Sequence, residues 1–293
     1  MEQLQTIWQQ LADQRKKGRA VYLVSIVAYA LAVVLVVLKF RNAAMVLGFV
    51  GVLVYLLAGR RMNKAYSSGI TRANVLHGLC APLQQVEFTP GKGGMTEEEL
   101  DALQLLPVHH TKGENGLLCN NAIRAQYEGF AVNACELTLH YPYMAGDKQR
   151  FEFMSGSLFT APALPVTEQQ GDWLLLHRDM LREDAQLQFT ERCGYHLIAV
   201  EESIGLHFYV YARTPDAQLP DHLRNQIAAL IKNVPAAGAV RLAPGVAAVY
   251  LHKRLYTFRT PLRDQLTVEQ LGTSPLGERD AVLALLRYWA QVH

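Results

Sequence analysis

Two long apolar runs dominate the start of the chain. Ala20–Leu38 and Ala43–Gly59 hold no charged side chain and are separated only by Lys39, Phe40, Arg41 and Asn42. As helices they reach roughly 28 Å and about 25 Å, close to the ~30 Å hydrocarbon thickness of a bilayer. Both are apolar all round, whereas a helix lying on a soluble core keeps a polar stripe. A signal peptide has one short core and a cleavage site, and here a second run follows at once. The pattern predicts a transmembrane helical hairpin over residues 20–59. Gly48 and Gly51 offer a close helix approach, although their spacing is not GxxxG. Ahead of the hairpin, Leu4, Ile7, Trp8 and Leu11 recur on one helical face, which predicts an amphipathic helix over 1–19 lying in the membrane interface. Behind it, a helical linker over 60–82 includes Tyr66–Leu79 and ends at Pro82.

Residues 83–293 read as one α+β domain with a largely antiparallel sheet and a few helices. A loop around Pro90, Gly91, Gly93 and Gly94 precedes a helix opened by a Thr96–Glu99 capping box and stopped by Pro107. The period then changes from helical to alternating. Strands are expected over Ile123–Tyr127, Phe130–Tyr141, Phe151–Phe159, Asp172–Leu176, Tyr195–Val200, Gly205–Ala212, Val240–Leu242, Val246–Leu251 and Leu255–Phe258, with a hairpin turn at Tyr143–Asp147. Helices are expected over Leu219–Lys232 and Asp280–Val292.

Charge adds an orientation. Arg15, Lys16, Lys17 and Arg19 precede the first run, and Arg60, Arg61 and Lys64 follow the second, while the loop between carries Lys39 and Arg41. Basic flanks are retained on the cytoplasmic side, which places both termini in the cytoplasm. The chain as a whole is nearly neutral, with 28 basic and 26 acidic residues. Residues 1–64 hold nine of the basic and two of the acidic ones, a balance of +7, and leave −5 for the remainder. The basic end suits an anionic leaflet. The mildly acidic remainder lacks the concentrated basic face that nucleic-acid binding needs.

Chemistry is sparsely marked. Cys80, Cys119, Cys135 and Cys193 form no CxxC pair and read as small buried residues in a reducing compartment. Glu136 and His140 share a strand face, and with Cys119 and Cys135 on adjacent strands they are the candidates for a polar site. A solvated strand face accounts for that pair more simply. His109 and His110 are neighbours that would point apart on a strand and lack any metal-ligand spacing. The lysine in Pro90–Thr96 stands between glycines, unlike that of a phosphate-binding GxxxxGK[ST] loop. Ser155 and Ser157 flank Gly156 without forming G-x-S-x-G, so Gly156 is read as a point of close backbone approach or a bulge. Phe151, Phe153, Phe159, Phe208 and Tyr209 read as core and cross-strand pairs. No pattern implies a catalytic residue, a metal or a cofactor.

Gly129-Phe130, then Glu136, then Phe153-Met154-Ser155-Gly156-Ser157-Leu158-Phe159, resembles the bacterial domain of unknown function 3137 family. Phe208–Ala212, the helix over Leu223–Ile231 and Val246–Leu251 are similar to its later strand, helix and strand. The resemblance covers roughly residues 60–265 and includes the two preceding spans. It implies an inner-membrane protein with a membrane-protein partner or self-association, and no defined activity or catalytic residues. Two function classes follow. The favoured one is a membrane-anchored cytoplasmic interaction module; the other is a membrane-associated enzyme or small-ligand sensor with an unfamiliar site.

Overall fold

The computed structural model describes residues 2–108, 116–166, 171–201, 207–255 and 276–291, which fall into two compact units. In the first, residues 2–81, helix α1 (Glu2–Val37) turns at Lys39, whose φ is +65°, into α2 (Arg41–Val54). A π-helical turn at Tyr55–Gly59, α3 (Arg60–Asn74) and a second π turn at Val75–Leu79 continue the same rod. Both rods are long and apolar enough to cross a membrane. Only 17% of the most apolar stretch of each is buried, and side chains such as Leu23, Ile26, Val33 and Phe49 stand more than 60% exposed. A core helix of a soluble protein would hide them, so the unit fits a membrane protein.

The helices meet along a seam of small residues. A Cβ on Gly51 would lie 3.3 Å from that of Ala28, and one on Gly48 would lie 3.8 Å from that of Ala32. The Tyr22 and Tyr55 rings meet edge to face at 5.5 Å where the first π turn begins. The amphipathic segment expected to lie in the membrane interface is instead continuous with the first span. Its apolar face, Ile7, Trp8 and Leu11, packs on Tyr66, Ile70 and Ala73 of α3.

The second unit is built on one antiparallel sheet of nine strands. These are β1 (Gln84–Lys92), β2 (Leu117–Tyr127), β3 (Phe130–Ala145), β4 (Lys148–Pro162), β5 (Trp173–His177), β6 (His196–Glu201), β7 (Phe208–Ala212), β8 (Ala237–Ala243) and β9 (Val246–Leu251), in spatial order β1-β2-β3-β4-β9-β8-β5-β7-β6. Helices α4 (Glu97–Leu103) and α5 (Glu183–Arg192) cover one face, where Leu100, Leu106, Ala185 and Phe189 pack with Leu137, Leu139, Leu158 and Tyr250. Helix α7 (Leu276–Gln291) packs on β9 and β4 and against α6 (Asp221–Asn233), and its Trp289 Nε1 donates to the Ala243 carbonyl at 3.0 Å.

The α+β class and the antiparallel sheet are as the alternation predicts, and several details differ. The capping box forms: Glu99 N donates to Thr96 Oγ1 at 3.2 Å and Thr96 N to Glu99 Oε2 at 2.8 Å. The helix ends at Leu103, because Gln104 turns left-handed (φ +48°) before Pro107 is reached. The expected loop at Pro90–Gly91 belongs to β1, an edge strand, where a proline costs no ladder bond. Strand β3 runs three residues into the expected turn, to Ala145. Helix α5 is unanticipated. Leu255 stands outside any strand, and residues 256–258 of that expected strand lie outside the described residues.

Gly156 does serve close approach. A Cβ there would overlap the Leu251 carbonyl and come within 2.7 Å of the Tyr250 ring. Gly156→Ala should therefore destabilise the fold by about 3 kcal/mol. In the detergent-solubilised full chain this reads as a thermal midpoint lowered by roughly 6–12 °C; an unchanged midpoint would contradict the packing.

Candidate functional site

Strand β3 positions both predicted polar residues, and the structure treats them differently. Glu136 is 2% exposed, opposite Ser157 of β4, and accepts a hydrogen bond from Asn121 Nδ2 at 3.2 Å. Asn121 occupies a bulge in β2 with φ +54°, and its Oδ1 accepts Gly91 N of β1 at 3.1 Å. One amide side chain thus joins three strands. His140 is exposed and lies four residues along, roughly 13 Å at strand rise. Its ring packs on Phe153 at 5.0 Å and Phe151 at 6.4 Å. Between the two, Arg254 bridges the strands, donating from Nη2 to Thr138 Oγ1 (2.6 Å) and from Nε to Ser155 Oγ (2.9 Å). Glu136 and His140 share a face and form no carboxylate–imidazole pair. The solvated face expected for them holds at His140 only, since Glu136 is buried.

Beyond Leu139 and Ser157 no strand among the described residues pairs with the β3–β4 ribbon: β2 pairs end at Leu139 and β9 pairs begin at Ser157. One face of this overhang is covered. Tyr141 and Tyr143 are each 6% exposed, and Gln188 of α5 bonds both the N–H (3.3 Å) and the carbonyl (2.8 Å) of Met144. The other face is bare. Phe151 and Phe153 are each 59% exposed and Met144 47%, on the side that carries His140. Reading these two phenylalanines as core is thus corrected, because no flanking strand among the described residues reaches them. Phe159 and Phe208 are buried as expected.

The four thiols are buried and unpaired by disulfides. Cys119 and Cys135 touch across β2 and β3. Contact with the Cys135 thiol lowers Cys119 from the usual cysteine value, against the opposing effect of burial. The same contact, with burial, pushes Cys135 well up. Among the described residues no group of three His, Cys, Asp or Glu is placed to hold a metal, and His109 and His110 lie outside them.

A cluster that the sequence does not mark pins α4 to the sheet. Asp172 Oδ2 accepts from Arg241 Nη2 (3.0 Å) and Arg213 Nε (3.1 Å), and its Oδ1 accepts from the Tyr195 hydroxyl (2.9 Å). Burial pushes that hydroxyl's pKa far up. Both guanidinium groups lie over the Tyr195 ring, at 4.3 and 5.3 Å. Arg241 Nη1 also donates to the Leu103 carbonyl at 3.1 Å, and Gln104 accepts from both arginines. Cations at a helix C-terminus satisfy its orphan carbonyls and its dipole. Between the helix so fixed and strands β2–β4 lies a cavity of about 260 Å³.

The basic flanks come together in the first unit. Leu11 packs on Ile70, and Tyr22 on the π turn ending at Gly59, so Arg15, Lys16, Lys17 and Arg19 run alongside Arg60, Arg61 and Lys64. The seven form a collar at one end of the hairpin; Arg15 is partly buried and the other six are exposed.

No family model and no curated protein matches the chain. Among solved structures, the crystal structure of the mycobacterial trehalose monomycolate transport factor A aligns with a TM-score of 0.37 and 13% identity, over 75% of this chain and 95% of that one. The functional reading therefore rests on this chain's own residues.

Removing the shared acceptor of the α4 clamp leaves the buried Arg241 without its carboxylate. Asp172→Ala should cost about 2–3 kcal/mol, discounted for the partial exposure of Asp172. Urea denaturation of the purified chain measures it, and a loss under ~0.5 kcal/mol would show that the cluster does not fix the helix.

Proposed function

We propose that the chain is a membrane-tethered interaction module, held at the cytoplasmic face of a bacterial inner membrane, whose β3–β4 ribbon recruits a protein partner. Membership of the domain of unknown function 3137 family is part of this proposal. The observation that carries it is the one-sided ribbon, covered by α5 on one face and bare at Phe151, Phe153 and Met144 on the other. Contiguous exposed apolar groups rimmed by polar ones are the usual mark of an interaction surface. The register puts His140, and the bridge made by Arg254, on that face and no acidic residue between Thr138 and Met144 or between Gln149 and Ser155. The fitting partner presents apolar anchors flanked by acidic side chains.

The collar supports the orientation. Seven basic residues stand at the end where the chain leaves the hairpin, against Lys39 and Arg41 at the turn. The tendency of the richer basic side to stay in the cytoplasm supports a cytoplasmic sheet unit. The alternative, a membrane-associated enzyme or small-ligand sensor, would need a site other than a Glu136–His140 pair, because the two are separated along the strand.

After mild cross-linking in cells, the wild-type chain should co-purify one stoichiometric membrane protein. The Phe151→Glu/Phe153→Glu double variant should lose it by about tenfold or more, as hot-spot removal does, with its melting midpoint kept. Retention of the partner by the double variant, or cross-links to lipid alone, would overturn the reading.

A further inference from the structure

The cavity beneath α4 lies on the face of the sheet opposite the bare stripe, and its character is different. Its walls are mostly apolar, with Met95 and Leu103 on the helix side and Ala122, Cys135 and Leu158 on the sheet side. Its uncharged polar lining is Thr160 of β4 with Asn133 opposite it on β3. Thr160 is 3% exposed, lines the cavity, and its hydroxyl has no hydrogen-bond partner among the described residues. Buried side-chain atoms without a partner among the described residues are Arg241 Nε and Tyr250 Oη, so the Thr160 hydroxyl is open to the cavity, where a ligand's hydrogen-bonding group would meet it. At about 30 Å³ of liquid volume per water, the space equals roughly nine waters, enough for a molecule of about nine non-hydrogen atoms.

The mouth fixes the ligand's charge. Arg124 stands there exposed, with Glu99 also on the lining and Glu87 opposite Arg124 on the edge strand. Charges of both signs at the opening favour neither a carboxylate nor an ammonium on the ligand. We propose that this cavity binds a small, uncharged, mainly aliphatic molecule with one hydroxyl-type group, seated against Thr160. Independent of the partner-recruiting reading, it makes α4 the wall of a ligand site. The Asp172 cluster positions that wall by holding the carbonyl of Leu103 and the side chain of Gln104.

The test uses the full chain in lipid nanodiscs and an octanol analogue bearing a photoactivated alkyl diazirine, with labelled peptides read by mass spectrometry. The inference predicts labelling of peptides containing Met95–Leu103 and Leu158–Pro162, competed by free octanol and at least fivefold less well by octanoate or octylamine. Ala102→Trp, which fills the opening from α4, should abolish that labelling and leave any labelling of α1 and α2 unchanged. Thr160→Val should weaken octanol competition about three- to tenfold, the worth of one neutral hydrogen bond, while competition by octane stays the same. Labelling confined to the membrane-spanning helices, or cavity labelling that survives Ala102→Trp, would overturn the site. Equal competition by the charged analogues, or no effect of Thr160→Val, would overturn the ligand class.

Discussion

The β3–β4 ladder is the constraint on which the sheet unit depends. Thirteen consecutive residue pairs, Asn133 with Thr160 through Ala145 with Lys148, run without a register shift. A slip of one residue would turn every side chain to the other face. The register sets Cys135, Leu137, Leu139, Tyr141 and Tyr143 under α4 and α5, and Glu136, Thr138 and His140 on the reverse. The ladder is also longer than its neighbours. Where β2 and β9 stop, a two-stranded ribbon continues, and such a ribbon alone is marginal in water. Helix α5 supports one face of it, so the bare phenylalanines on the other stand on a fixed platform.

Opposite that platform the dominant interaction is electrostatic. Arg241 is 6% exposed, and a guanidinium so buried is tolerable only with its charge and donors met. Asp172, the carbonyl ending α4 and Gln104 meet the charge and the terminal nitrogens, while Nε is left without a hydrogen-bond partner among the described residues. The seven-residue α4 is too short to be stable on its own propensity. Its capping box at one end and the arginines at the other hold it over the sheet, leaving the cavity between.

Much of this was legible in the chain. The two runs were readable because a lipid-facing helix has to be apolar on every side, and Thr96–Glu99 because the cap is a local interaction. The shared face of Glu136 and His140 followed from strand parity. Burial of Glu136 did not, since it depends on a left-handed bulge at Asn121 in another strand. Helix α5 was hidden because its inward side rests on little more than Ala185 and Phe189 among polar neighbours. The Asp172 cluster was out of reach for a different reason. Residues 104, 172, 195, 213 and 241 meet only through the spatial order that puts β5 between β8 and β7, and no sequence spacing encodes it.

A module of this kind works only if the hairpin is inserted and the sheet unit lies in the cytoplasm. The most direct measurement is labelling in intact cells with a membrane-impermeant maleimide, using Asn42→Cys at the tight turn and a cysteine appended after His293. The four native thiols are buried and give a low background. With both termini cytoplasmic, the Asn42→Cys thiol reacts in intact cells and the appended one only after lysis. Reaction of the appended thiol in intact cells would contradict that placement.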